Sequence, residues 1–153
     1  MKNLATRFDK ATYLKVSGLG TRLNLSFSSQ LVFGNKIIAL DGIKKRLLVL
    51  DTDKELNQPY VIDLNSLAAV SVKKSYGSIG QGQLKNKGIE EFLKRIDLQF
   101  EFNNKNEPIV LSFYDCEIDD QRDRPKLIRN AKNWQMILSK IAGLQTHKIN
   151  KEL

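Results

Sequence analysis

The stretch Lys36-Ile37-Ile38-Ala39-Leu40-Asp41-Gly42-Ile43-Lys44-Lys45-Arg46-Leu47-Leu48-Val49-Leu50-Asp51 decides how this chain is read. Two apolar, β-rich segments are joined through Asp41-Gly42. An Asp-Gly pair readily takes the positive backbone angles of a tight turn, so the stretch predicts a β-hairpin. Three consecutive cations, Lys44, Lys45 and Arg46, sit at that turn.

Working upstream, Leu23, Leu25 and Phe27 alternate with Asn24, Ser26 and Ser28, a period of two that predicts a short strand. Before it, Leu4, Phe8, Ala11 and Leu19 fall near one face of a helix over residues 3–19. Gly18 and Gly20 are expected to end that helix. Downstream, Thr52 to Pro59 is polar and reads as a loop. Tyr60-Val61-Ile62-Asp63-Leu64 is a strand, and Asn65 or Ser66 opens a short helical or bulged turn. Ala69 to Val72 resumes strand, with Lys73 and Lys74 at its end. Four glycines, Gly77, Gly80, Gly82 and Gly88, mark a long loop over residues 75–90.

The second half has the clearer periodicities. From Leu93 to Phe102, Ile96, Leu98, Phe100 and Phe102 share one face and Asp97, Gln99 and Glu101 the other. After a turn at Asn103 to Glu107, Pro108 to Tyr114 returns with Ile109, Leu111 and Phe113 inward. Leu127, Ala131, Trp134, Leu138 and Ile141 then recur at helical spacing, with Ile128, Ile137 and Ala142 widening the stripe. Gly143 marks the helix end, and the residues after it form a polar tail.

At 153 residues the chain is long enough to bury a core as one domain. It carries a net charge of +8, which attracts polyanions: an anionic membrane face, nucleic acid or an acidic protein. The excess is uneven, with 12 basic and 6 acidic residues in 1–76 against 13 and 11 in 77–153. One cysteine, Cys116, cannot form an internal disulfide, which fits a reducing compartment. The first eight residues lack the apolar stretch of a signal peptide. The chain is therefore expected in the cytoplasm.

The hairpin Lys36–Asp51, the strand-turn-strand Tyr60–Lys74, the hairpin Leu93–Tyr114 and the Trp-containing helix Leu127–Ala142 together resemble a bacterial PH-like domain. Asp63-Leu64-Asn65-Ser66-Leu67-Ala68-Ala69-Val70 is similar to that family's strand, short turn and strand near mid-domain. The resemblance implies an α+β fold: a bent antiparallel barrel of six to seven strands capped by one C-terminal amphipathic helix, with a short N-terminal helix. It also implies a division into a helix or stalk at 1–22, the PH-like domain at 23–142 and a polar tail at 143–153. The chain looks like short bacterial proteins in which such a domain follows a membrane helix. That likeness places it at the cytoplasmic face of the inner membrane.

Catalytic constellations are thin. The single histidine, His147, lies far in sequence from Cys116 and from the mid-chain serines, and nothing orients a nucleophile. Asp51-Thr52-Asp53-Lys54-Glu55 opens like a calcium loop but has Leu56 where glycine belongs and Ile62 where glutamate belongs. The acidic set Asp115, Glu117, Asp119, Asp120 and Asp123 reads as a solvated loop whose last carboxylates favour the start of the final helix. Gly77-Ser78-Ile79-Gly80-Gln81-Gly82 lacks the Gly-Lys-Ser/Thr of a phosphate loop. No enzyme, cofactor or metal is expected.

The basic clusters remain. Lys44, Lys45 and Arg46 lie where the resemblance places the anion-binding residues of lipid-binding members, and Lys73 and Lys74 add a second cluster, with Lys85, Lys87, Lys94 and Arg95 after it. The leading expectation is a non-catalytic interaction module at the cytoplasmic membrane surface, binding a protein segment or acidic lipid headgroups. The alternative is a nucleic-acid-binding module using the same basic surface, with exposed Tyr60, Tyr76 and Tyr114 as stacking groups.

Overall fold

Unbroken apolar runs build the first sheet and alternating runs build the second. A computed structural model describes residues 10–51, 58–78, 80, 82, 88–104 and 106–144. In chain order the elements are α1 (Lys10–Leu23), β1 (Ser29–Phe33), β2 (Lys36–Asp41), β3 (Arg46–Asp51), β4 (Tyr60–Asp63), β5 (Leu67–Tyr76), β6 (Leu93–Phe102), β7 (Ile109–Asp115) and α2 (Arg124–Ile141). They form two antiparallel sheets, β1-β2-β3-β4 and β5-β6-β7. The chain is thus α+β, and no closed barrel forms among the described residues. Contacts divide it into two compact units, one ending at Ser66 and one beginning at Leu67.

In the first unit β2 and β3 pair as the hairpin expected, Lys36 opposite Asp51 and Asp41 opposite Arg46. Ile37 to Leu40 and Leu47 to Leu50 are all buried, so both faces of this sheet are covered. One face is covered by α1, where Val16 and Leu19 meet Ile37, Ala39, Leu48 and Leu50. Phe27 and Val32 pack at the margin of this cluster.

The strand expected at Leu23 to Phe27 is not there. Helix α1 runs through Gly18 and Gly20 as far as Leu23, while residues 1–9 lie outside the described residues. Asn24, at φ +61°, closes the helix. Its N–H donates to Thr21 O, and Leu25 N–H donates to Gly20 O, the paired bonds of a Schellman cap. The strand comes later, at β1, joined to β2 through Gly34-Asn35 with Gly34 at φ +57°. The alternation of Leu23, Leu25 and Phe27 belongs to the cap and to the packing of Phe27.

In the second unit, β6 alternates as expected, with Ile96, Leu98 and Phe100 fully buried. Helix α2 packs on all three strands, and Leu127, Ala131, Trp134 and Leu138 are its buried stripe. Gln135 Nε2 donates to Val70 O at 3.1 Å, tying the helix to β5. Ile137 lies outward of that stripe, 39% exposed. Gly143, at φ +77°, ends α2 as expected, with Leu144 N–H donating to Ser139 O. Tyr114 departs from expectation. A bulge opposite Ile96 and Asp97 puts Phe113 and Tyr114 inward together, and Tyr114 has no exposed surface.

Two helical glycines of α1 make opposite predictions. A Cβ at Gly20 would stand 2.8 Å from Phe27 Cε2 and 3.1 Å from Leu25 O, whereas a Cβ at Gly18 meets nothing within 4 Å. Gly18→Ala should therefore raise stability by about 0.5–1 kcal/mol. Gly20→Ala should lower it by about 1–3 kcal/mol. Urea midpoints of the two variants check both signs.

Candidate functional site: the cationic β2–β3 turn

The turn is built around one buried charge. Asp41 closes β2 and is only 2% exposed. Its Oδ1 accepts from the N–H of Ile43 (3.0 Å) and of Lys44 (2.9 Å). Its Oδ2 accepts from Ser26 N–H at 2.9 Å. Burial raises the Asp41 pKa, but the three N–H groups and the Lys44 charge outweigh it, so the carboxyl is held below its ordinary value. The expected positive angle at Gly42 is not used. The left-handed residue is Lys45, at φ +60°.

The three cations differ in what they touch. Arg46 donates from one Nη to Asp63 Oδ1 (2.9 Å) and to Lys44 O (2.7 Å). Asp63 Oδ1 also accepts from Asn65 N–H and from Asn65 Nδ2, so Arg46 fastens the turn to the end of β4. Leu64 N–H donates to Lys45 O at 2.9 Å and completes this seam. Lys44 Nζ donates to Asn24 O just beyond α1. Among the described residues no ion pair engages the Lys45 ammonium. Beside these charges Ile43 stands at the tip with 92% of its surface exposed.

The other predicted residues lie in the second unit. Lys73 and Lys74 are on β5, opposite Asp97 and Ile96 of β6; Lys73 is exposed and Lys74 half-buried. Arg95 bridges Asp97 (3.0 Å) and Asp115 (3.4 Å). The acidic loop organises backbone. Asp119 Oδ2 accepts from Asp115 N–H, and Asp115 Oδ1 accepts from Glu117 N–H. Asp120 accepts from the Arg122 guanidinium and from Arg122 N–H, which lower its pKa to about 2. Cys116 is half-buried. Tyr60 and Tyr76 are 40% and 38% exposed, while Tyr114 is buried. Asp53, Lys54, Glu55, Lys85, Lys87 and His147 lie outside the described residues. Among the described residues no helix is long and apolar enough to cross a membrane.

Compared with family models, with curated proteins and with solved structures, the chain matches none. Two residues of the turn, Asp41 and Ile43, were not among the site residues the sequence suggested. An Asp two and three residues before the amides it accepts from is the available signal for the first. Ile43 reads from sequence as one more apolar residue of a hairpin.

Asp41 makes a prediction in which pH sets the size of the effect. A carboxyl whose pKa is depressed on folding stabilises the fold above its unfolded value, about 3.9, and ceases to as pH falls through the folded value. Asp41→Asn keeps the shape but has one acceptor oxygen in place of two. Stability at neutral pH should fall by about 1–3 kcal/mol. The gap between variant and parent should narrow as pH falls below the unfolded carboxylate value of about 3.9. Denaturant titrations across that range read both effects.

Proposed function

We propose that this chain is a non-catalytic docking module that meets an anionic membrane surface through the β2–β3 turn. The observation that carries the reading is Ile43, 92% exposed on a turn pinned by a buried carboxylate and flanked by Lys44 and Lys45. A rigid apolar tip gains free energy by entering the interfacial region of a bilayer, at roughly 25 cal/mol per Å² buried. Each neighbouring lysine adds about 1 kcal/mol near anionic headgroups. A lysine held at φ +60° supports the same reading, since left-handed strain in a non-glycine residue gathers at functional turns.

The PH-like fold is part of this proposal. The resemblance implies a bent antiparallel barrel of six to seven strands capped by one C-terminal amphipathic helix; seven antiparallel strands, in sheets of four and three, followed by α2 support that reading. Lys44, Lys45 and Arg46 lie at the hairpin where it places anion-binding cations. Arg46 serves as the support of the turn, through Asp63, while Lys44 is exposed and Lys45 half-buried. The nucleic-acid alternative is weaker, because Tyr114, one of its three stacking groups, is buried.

Co-sedimentation with vesicles tests the proposal. The chain should pellet with anionic vesicles at physiological salt and not with neutral ones. Ile43→Ser should weaken this by about tenfold and Lys45→Glu by about fivefold, with folding intact. Equal pelleting on both vesicle types, none at all, or indifference to both substitutions would rule out the turn as a membrane contact.

A further inference from the structure

We propose that a second, uncharged site in the first unit binds one neutral sugar ring. A pocket of about 190 Å³ opens between the C-terminal half of α1 and the segment that leads into β1. Drug-sized ligands occupy roughly 300–1,000 Å³, so this pocket suits a ligand of about one ring. Ser17, Thr21, Ser26 and Gln30 line it together with Tyr13 and Phe27. No charged side chain among the described residues lines it, although the chain carries +8. The anion reading of the β2–β3 turn therefore does not extend to it.

The lining specifies a chemical class. Hydroxyls and a carboxamide both donate and accept, which suits a ligand that itself presents several hydroxyls. Thr21 Oγ1 donates to Ser17 O at 3.1 Å, which directs its lone pairs away from the helix as acceptors. Tyr13, half-exposed, and Phe27, half-buried, each add an aromatic residue to the lining. An apolar ligand would leave those polar groups unpaired, and an anion would find no cation in the lining.

The walls are fixed in advance, which reduces the ordering cost of binding. Phe27 reaches the helix only because Gly20 has no Cβ. The chain reverses at the Asn24 cap and is then held by Ser26 N–H on the Asp41 carboxylate. This inference does not rest on the membrane reading.

The test is an amide-shift titration of the full ¹⁵N-labelled chain with methyl glucoside, methyl galactoside, methyl mannoside and N-acetylglucosamine, with inorganic phosphate as the anionic probe. At least one sugar should shift amides within residues 13–30 and saturate in the millimolar range. Phosphate should leave those amides in place. Gln30→Ala and Ser17→Leu should each weaken the sugar by about tenfold with the remaining spectrum unchanged, and Ile43→Ser should not weaken it. Neutral vesicles doped with a monoglycosyl lipid separate the sources. Pelleting lost in the same variants assigns the sugar to a lipid headgroup, and binding of soluble glycosides alone assigns it to a free sugar. No saturation by about 0.1 M together with no pelleting overturns the proposal, as does a response unchanged in both pocket variants. Phosphate shifting the same amides overturns it too.

Discussion

The first unit depends on a carboxylate that has left water. Removing an ionised Asp from solvent is tolerable only when its oxygens find donors inside the fold. Asp41 finds three backbone N–H groups, from Ser26, Ile43 and Lys44. Those donors belong to two segments far apart in sequence. The carboxylate therefore fixes the exit from α1 and the β2–β3 turn in one step, and each would otherwise have N–H groups in need of partners. Lys44 closes the loop from the other side by donating to Asn24 O.

The two units use different burial patterns on the same antiparallel ladder. In β2 and β3 four consecutive apolar residues of each strand are buried, so the register between the two strands is not set by a buried face against a wet one. Asp41, opposite Arg46 at one end, and Lys36, opposite Asp51 at the other, give the pairing its polar limits. In β6 the pattern alternates, and one face lies under α2 while Asp97 and Gln99 face outward with partial exposure. There the pleat itself defines the register, since a slip of one residue would exchange the two faces.

That contrast explains what could be read from the sequence. β2, β3, β6 and the buried stripe of α2 are local patterns, and they stand where residues 36–51, 93–102 and 127–141 place them. The entry to β1 could not be read the same way. Leu23, Leu25 and Phe27 imitate a strand, yet Leu23 is an exposed residue at the end of α1, Leu25 closes a Schellman cap and Phe27 packs against Gly20. Gly34-Asn35 was the legible sign that a strand precedes β2. Tyr114 is buried by a bulge, which a strict period of two cannot express. At the turn, the cations were legible and their bonds were not. Arg46 meets Asp63 only after β4 has paired with β3, a relation between residues 17 apart.

The two proposed surfaces have opposite electrostatic character, and one side chain supports both. Oδ1 of Asp41 holds Ile43 and Lys44, the apolar tip and a cation beside it. Oδ2 holds Ser26, a wall of the neutral pocket. A buried charge that served the turn alone would need only the first set of bonds. Its second oxygen extends the same rigidity to a region lined by hydroxyls, where no cation competes for the ligand. Rigid placement of a cationic tip favours a flat anionic surface, whose charge is diffuse and needs no defined hydrogen-bond geometry. Rigid placement of hydroxyls and a carboxamide favours a ligand with directional donors and acceptors. The same constraint thus supports the proposed unspecific contact on one side and the proposed specific one on the other.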